Sequence, residues 1–130
     1  MKTPTRARKS KPSSKPKRSK FKNIRTTVGG ITFASKKEAT RWLFLKELEA
    51  VGVIRDLRRQ TRWPLLVNGI KIGTYIDDFD FVVSATGQFV IQDTKSPWTA
   101  RLPLYRRSKA HVKAQYGYDI VEVYRPDEPV

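Results

Sequence analysis

The chain has 130 residues, enough for one domain with one core. It contains no cysteine and a single histidine, His111, which excludes disulfides, cysteine-bound zinc and any site built on several histidines. Its net charge is +15 and it has no run of about 18 apolar residues, so the composition favours a polyanionic partner and no membrane span.

Residues 1–22 hold ten Lys and Arg and no acid, leaving +5 for the remainder. With Pro4, Pro12, Pro16 and several serines, this segment has almost nothing to bury and is predicted to be a disordered basic tail. It lacks an apolar stretch, so it is not read as a secretory signal, and a cytoplasmic location is expected. Such a tail suits binding to phosphate backbones; a solubilising or targeting role is the plainer alternative. One folded domain is expected over residues 23–130.

Arg25 to Val28 and Ile31 to Phe33 flank Gly29-Gly30, a short hairpin pattern. Ser35-Lys36-Lys37-Glu38 is a capping box that opens a helix from about Lys36 to Ala50, stopped by Gly52. Leu43, Phe44, Leu45, Leu48 and Val51 give this helix a broad apolar surface for a sheet, and Glu38, Trp42, Leu45 and Glu49 share one stripe. Strands follow at Ile54 to Leu57 and Thr61 to Val67, the second an edge because it contains Pro64. Trp42 and Trp63 are expected in the core. Asn68-Gly69 is a two-residue hairpin turn leading into a long arm, Ile70 to Val83, with Gly73 as a bend. Ser84 to Gly87 turns the chain into a second arm, Gln88 to Ser96. Pro103 fits a first helical turn, and Leu104 to Tyr116 reads helical up to Gly117. This helix region carries Arg101, Arg106, Arg107, Lys109 and Lys113, with His111 expected on its surface. Tyr118 to Tyr124 is a last strand. The segment from Phe89 to Tyr124 is long enough for a parallel crossover. The order predicts an α/β domain: a central mixed sheet flanked by two helices.

Side chains alternate along a strand, so Phe89, Ile91, Asp93 and Lys95 share a face of the second arm. On the first arm Ile76, Asp78, Asp80 and Val82 share one, which turns Asp77 the other way, toward the surface. Carboxylates and a lysine thus sit at the ends of apolar strands, where unpaired charge is costly. Asp78, Asp93 and Glu38 offer the hard oxygens that Mg²⁺ prefers, and one or two such ligands suffice. The metal can polarise a phosphodiester, and a lysine can stabilise the developing charge. Each residue also has an ordinary explanation. Asp93-Thr94-Lys95 reads equally as a solvated strand end, and Glu38 sits where a capping box requires a glutamate. Asp80 is the substitute ligand if Asp78 is not one.

With these residues in place the chain resembles the PD-(D/E)xK nuclease superfamily, the restriction-endonuclease-like fold. Asp78 matches its first motif acid and Asp93-Thr94-Lys95 its (D/E)xK. The chain is most similar to a small phage and prophage family within it, through Gly30 to Ala39, Leu57 to Gln60, Tyr75 to Phe79, Gln92 to Lys95 and Lys113 to Gly117. It departs at Asp77 (not proline), at Gln92, where an acid is frequent, and at Ser96, where glycine is usual. The resemblance implies Mg²⁺- or Mn²⁺-dependent cleavage of DNA. Asp78 and Asp93 would hold the metal with the Thr94 carbonyl, Lys95 would assist the attacking water, and Glu38 would be a further acid. Gln60 resembles a polar residue at the site rim of related nucleases, a position turn chemistry explains as well. Arg101, Arg106, Arg107, Lys109 and Lys113 are the expected DNA contacts, and Trp98 a base-stacking one. Branched, Holliday-junction-type DNA is a substrate by analogy, and a homodimer stays open. The alternative is a nuclease-like fold without catalysis, acting as a DNA-binding or packaging accessory.

Overall fold

The computed structural model describes residues 24–130; the tail expected over residues 1–22 lies outside them. Strands β1 (Thr26–Val28) and β2 (Ile31–Phe33) form the first hairpin. Helix α1 (Lys36–Ala50) starts where Ser35 Oγ accepts the Glu38 N–H at 3.1 Å and ends before Gly52, at φ +82°. Strand β3 (Ile54–Arg59) carries a bulge between Arg55 and Arg58, with Asp56 at φ +55°. Strands β4 (Arg62–Val67) and β5 (Ile70–Ile76) turn through Asn68 and Gly69, both at positive φ. Then come β6 (Phe79–Val83), β7 (Phe89–Thr94), a 3₁₀ turn at Thr99–Arg101, α2 (Pro103–Tyr116) and β8 (Ile120–Val123).

The central sheet is mixed, in the order β3-β6-β7-β8. The first two pairings are antiparallel and β7 runs parallel to β8, with α2 as the crossover. Alternation along β6 and β7 separates two cores. Phe79, Phe81, Val83 and Val90 pack with Ile54 and Phe33 against Ala39, Trp42, Leu45 and Leu48 of α1. Phe89, Ile91 and Ile120 pack on the other face against Val112 and Tyr116 of α2 and against Trp63, Leu65 and Tyr75. The chain is therefore α/β, a mixed sheet with a helix on each face. No helix among the described residues is long and apolar enough to cross a membrane.

The β4–β5 hairpin is a separate ladder laid over the α2 face. Its outer strand is capped by side chains of α2. Gln115 accepts from the Leu66 N–H (2.9 Å) and donates to Pro64 O (3.1 Å), while Tyr116 donates its hydroxyl to the same carbonyl (2.6 Å). His111 Nε2 lies 2.9 Å from Leu66 O, so it is a half-buried contact between helix and hairpin, not a free surface group. An edge strand with Pro64 in it is thereby covered, not left open.

Three expectations need correction. The arm from Ile70 to Val83 is not one strand: it breaks after Ile76, so five strands, β3 to β7, separate the helices where the sequence marked four. Leu43 and Val51 of the supposed apolar surface are exposed, and α1 instead buries Arg41 completely, at 0% exposure. Arg41 donates from Nε to Gln92 Oε1 (3.1 Å) and from Nη1 to Pro126 O (3.1 Å) and Glu128 O. These bonds offset the cost of burying its charge. The third concerns Asp77 and belongs with the site.

Candidate active site

The break between β5 and β6 places two adjacent aspartates in different pockets. Asp77 is not at the surface: it is 1% exposed, and its carboxylate accepts from the Thr61 N–H and the Trp63 Nε1–H, both at 3.0 Å. Strict alternation assumed a continuous strand; the backbone irregularity at 77–78 removes that parity. Asp77 contacts Asp80, also fully buried, whose Oδ1 accepts from Arg58 Nε at 2.7 Å. Burial first, and then the bond to Asp80, push the Asp77 carboxyl up to about 8. Asp80 thus spends Oδ1 on Arg58 and keeps a buried, unpartnered Oδ2 on the Asp77 side, and no bond joins it to the Asp78–Asp93 pair.

Asp78 turns to the end of β7. Its Oδ2 accepts from both the Thr94 N–H and the Thr94 hydroxyl, each at 2.8 Å. Its own N–H donates to Asp93 Oδ1 at 3.1 Å. Asp93, 3% exposed, receives the Tyr75 hydroxyl on Oδ2, and Lys95 Nζ lies 3.7 Å from the same oxygen. The two aspartates are thus fixed relative to each other by backbone, not by flexible side chains alone. Lys95 is held as firmly. Its N–H donates to Val123 O (2.8 Å), Lys37 Nζ donates to its carbonyl (3.1 Å), and its ammonium lies 4.1 Å from the Tyr105 ring centroid. Tyr105 in turn donates to Glu122 Oε2 at 3.1 Å.

Glu38, in the first turn of α1, serves two ends. Its Oε2 accepts from the Ala34 N–H (3.2 Å), one residue before the position a capping box would use, and its carboxyl meets that of Asp78. Burial, then Asp78, push Glu38 up to about 8; burial, then the Asp78 charge, push Asp93 up to about 7 against the pull of Lys95 and Tyr75. Burial and the crowding of three carboxyls beside one ammonium thus favour the protonated forms of Glu38 and Asp93 near neutral pH. Such hard oxygen donors are chemically suited to a hard divalent cation. Among the described residues no group of three or more His, Cys, Asp or Glu side chains is placed to hold a metal ion. Mg²⁺ asks for less, commonly one or two carboxylates beside water and substrate oxygens. Two of the three carboxyls, those of Asp78 and Asp93, joined through the Asp78 N–H, suffice for that demand, with Glu38 beside Asp78.

Beside this cluster Arg101, Arg106, Lys109 and Lys113 line a groove of about 500 Å³ with Tyr105 and Glu122. Lys109 pairs with Glu122 (3.4 Å) and Lys113 with Asp119 (2.9 Å). Arg107 is not brought to this groove. One residue further round the helix, it lies with His111 and Gln115 toward Leu66. Trp98, in the loop after Lys95, is 57% exposed. Gln60 is exposed, at φ +53°, and its N–H donates to Asp78 O at 3.2 Å.

Sequence reasoning missed Tyr75, Tyr105 and Lys37. Only Tyr75 carried a local hint: a hydroxyl on an inward strand position beside acids requires a partner. Tyr75→Phe leaves Asp93 Oδ2 with Lys95 alone. The expected result is about a tenfold loss of any metal-dependent activity at pH 7, the order of one hydrogen bond to a charged group, recovered as pH is raised. A pH profile of the variant checks it.

Comparison with protein-family models, with curated proteins and with solved structures gives no match for this chain.

Proposed function

We propose that this chain is a Mg²⁺- or Mn²⁺-dependent endonuclease that hydrolyses DNA phosphodiester bonds, with a restriction-endonuclease-like fold of the PD-(D/E)xK kind. The observation that carries the reading is the joining of Glu38, Asp78, Asp93 and Lys95, from three separate parts of the chain, into one partly buried charge cluster beside a basic groove. Asp78, Asp93 and Glu38, with the Thr94 carbonyl, would hold the cation, which supplies Lewis-acid polarisation of the phosphodiester and a nucleophile near neutral pH. Thr94 orients Asp78 and Tyr75 orients Asp93. Lys95 Nζ provides a fixed positive charge for the negative charge that develops on the phosphate oxygens. Arg101, Arg106, Lys109 and Lys113 hold flanking phosphates, and Trp98 offers a ring to a base.

The test is cleavage of linear, nicked, single-stranded and four-way DNA in Mg²⁺, Mn²⁺ or EDTA. Cutting in either metal and none in EDTA is the expected result, with the junction as the favoured substrate. Failure to cut all four substrates in both metals overturns the reading. If DNA still binds while Mn²⁺ leaves the melting temperature unchanged, the chain is a DNA-binding or packaging accessory.

Residues 1–22 bring ten of the cations and none of the proposed site residues. Each phosphate neutralised adds about 0.9 to the logarithmic salt dependence of duplex binding. Deleting these residues should flatten that slope by several units and leave the cleavage positions unchanged. An unaltered slope would give the tail a targeting or solubility role instead.

A further inference from the structure

Arg59 closes β3, with its Cα opposite Phe79, the residue after Asp78. The next residue, Gln60, donates its N–H to Asp78 O. Phe79 packs in the α1 core, so Arg59 leaves the sheet on the α1 face. Its guanidinium carbon lies 5.1 Å from the Phe33 ring centroid. Phe33 leads directly into Ala34, whose N–H Glu38 accepts. The guanidinium therefore lies on the α1 face of the sheet, the face from which Glu38 comes, and on the opposite side from α2.

A cation in that place would be expected to pair with a carboxylate. Among the described residues Arg59 forms no ion pair, and its buried Nε has no hydrogen-bond partner. Residues 1–23 contain no acid that could supply one. Arg58 Nε is bound to Asp80 and Arg41 Nε to Gln92; Arg41 also leaves its buried Nη2 unpartnered, but its other donors are bound, whereas the Arg59 guanidinium makes no hydrogen bond among the described residues. Leaving a buried donor unmade is costly. A guanidinium kept planar on an aromatic ring, with donors unspent, is matched to a tetrahedral oxyanion.

We propose that Arg59 is a phosphate-binding residue, taking a non-bridging oxygen of a DNA phosphate on the α1 side of the cluster. This rests on the endonuclease reading and deepens it. DNA is then gripped from both sides of the carboxylates, by Arg59 on one and by the α2 groove on the other.

The experiment measures duplex binding by the full chain in EDTA across a salt series, alongside cleavage in Mg²⁺. Arg59→Met keeps an apolar stem on Phe33 and should fold; Arg59→Gln is a second neutral variant. Either should lower the logarithmic salt slope by about one unit, the loss of a single phosphate contact, and slow cleavage by about 10²-fold. Arg59→Lys should restore the slope, because the charge returns, and recover cleavage only in part, because the planar fork does not. A purely structural role would shift melting temperature and leave the slope alone. An unchanged slope in a folded neutral variant, with a wild type that cuts, overturns the Arg59 assignment and leaves the endonuclease reading standing. A wild type that neither binds nor cuts DNA overturns both.

Discussion

Asp93→Asn and Lys95→Ala are each expected to lower DNA cleavage by about 10³-fold while leaving duplex binding in EDTA nearly unchanged. Asn is nearly isosteric with Asp. Its Oδ1 can still accept the Asp78 N–H, and the Tyr75 hydroxyl can rotate to accept from the new amide instead of donating. The fold at the end of β7 therefore survives, and what disappears is a buried negative charge. Lys95→Ala removes the ammonium that favours the ionised form of Asp93, so the Asp93 carboxyl moves further up. The two variants differ in one respect. Asp93→Asn should weaken Mn²⁺ binding, whereas Lys95→Ala should spare it above neutral pH. Cleavage at the wild-type rate by either variant would remove both residues from the site.

Glu38→Gln is expected to lose about 10²-fold in cleavage with little change in melting temperature at pH 6. The glutamine oxygen can keep the Ala34 N–H bond, and the Ser35 cap does not involve the Glu38 side chain. The pH dependence separates charge from capping. Glu38 and Asp93 have folded pKa values above their ordinary ones, about 8 and about 7, so the folded state binds more protons than the unfolded chain between those limits. The stability this confers is fully present below about pH 4 and is lost as pH rises through 7 to 8. In EDTA the wild-type melting temperature should fall from pH 6 to pH 9, and Mg²⁺ should flatten the fall. Glu38→Gln should flatten it without metal. A part due to Asp77 should persist in both cases, because that carboxyl is committed to Thr61, Trp63 and Asp80. If Glu38→Gln cuts normally and keeps the wild-type pH slope, Glu38 is a helix cap and nothing more.

Where structure follows from short-range chemistry, it was legible in advance. Ser35 and Gly52 bound α1 because capping and positive φ are local requirements, and Asn68-Gly69 marks its hairpin for the same reason. The parallel β7–α2–β8 step follows from chain length alone. Asp93 and Lys95 share a face by simple alternation. The placement of Asp77 failed because no glycine or proline marks the break after Ile76; it is held by bonds to Gln60 and Thr61, some sixteen residues back. The meeting of Glu38 with Asp78 depends on how α1 lies on the sheet, which periodicity does not encode. Arg41 reads as a solvated helix residue because its partners, Gln92, Pro126 and Glu128, are remote in the chain.

That remoteness has a consequence for how the chain is made. During synthesis α1 leaves the ribosome long before the carbonyls that receive its buried guanidinium, which lie 85 and 87 residues further on. Until then Arg41 cannot be enclosed without stranding its charge, which opposes the docking that the apolar face of the helix favours. Strand β8, the parallel neighbour of β7, arrives almost as late. Full enclosure of Arg41 and completion of the central sheet are therefore late events. Translation stalled before residue 120 would release a fragment that lacks the β8 partner of β7 and the carbonyls that receive Arg41.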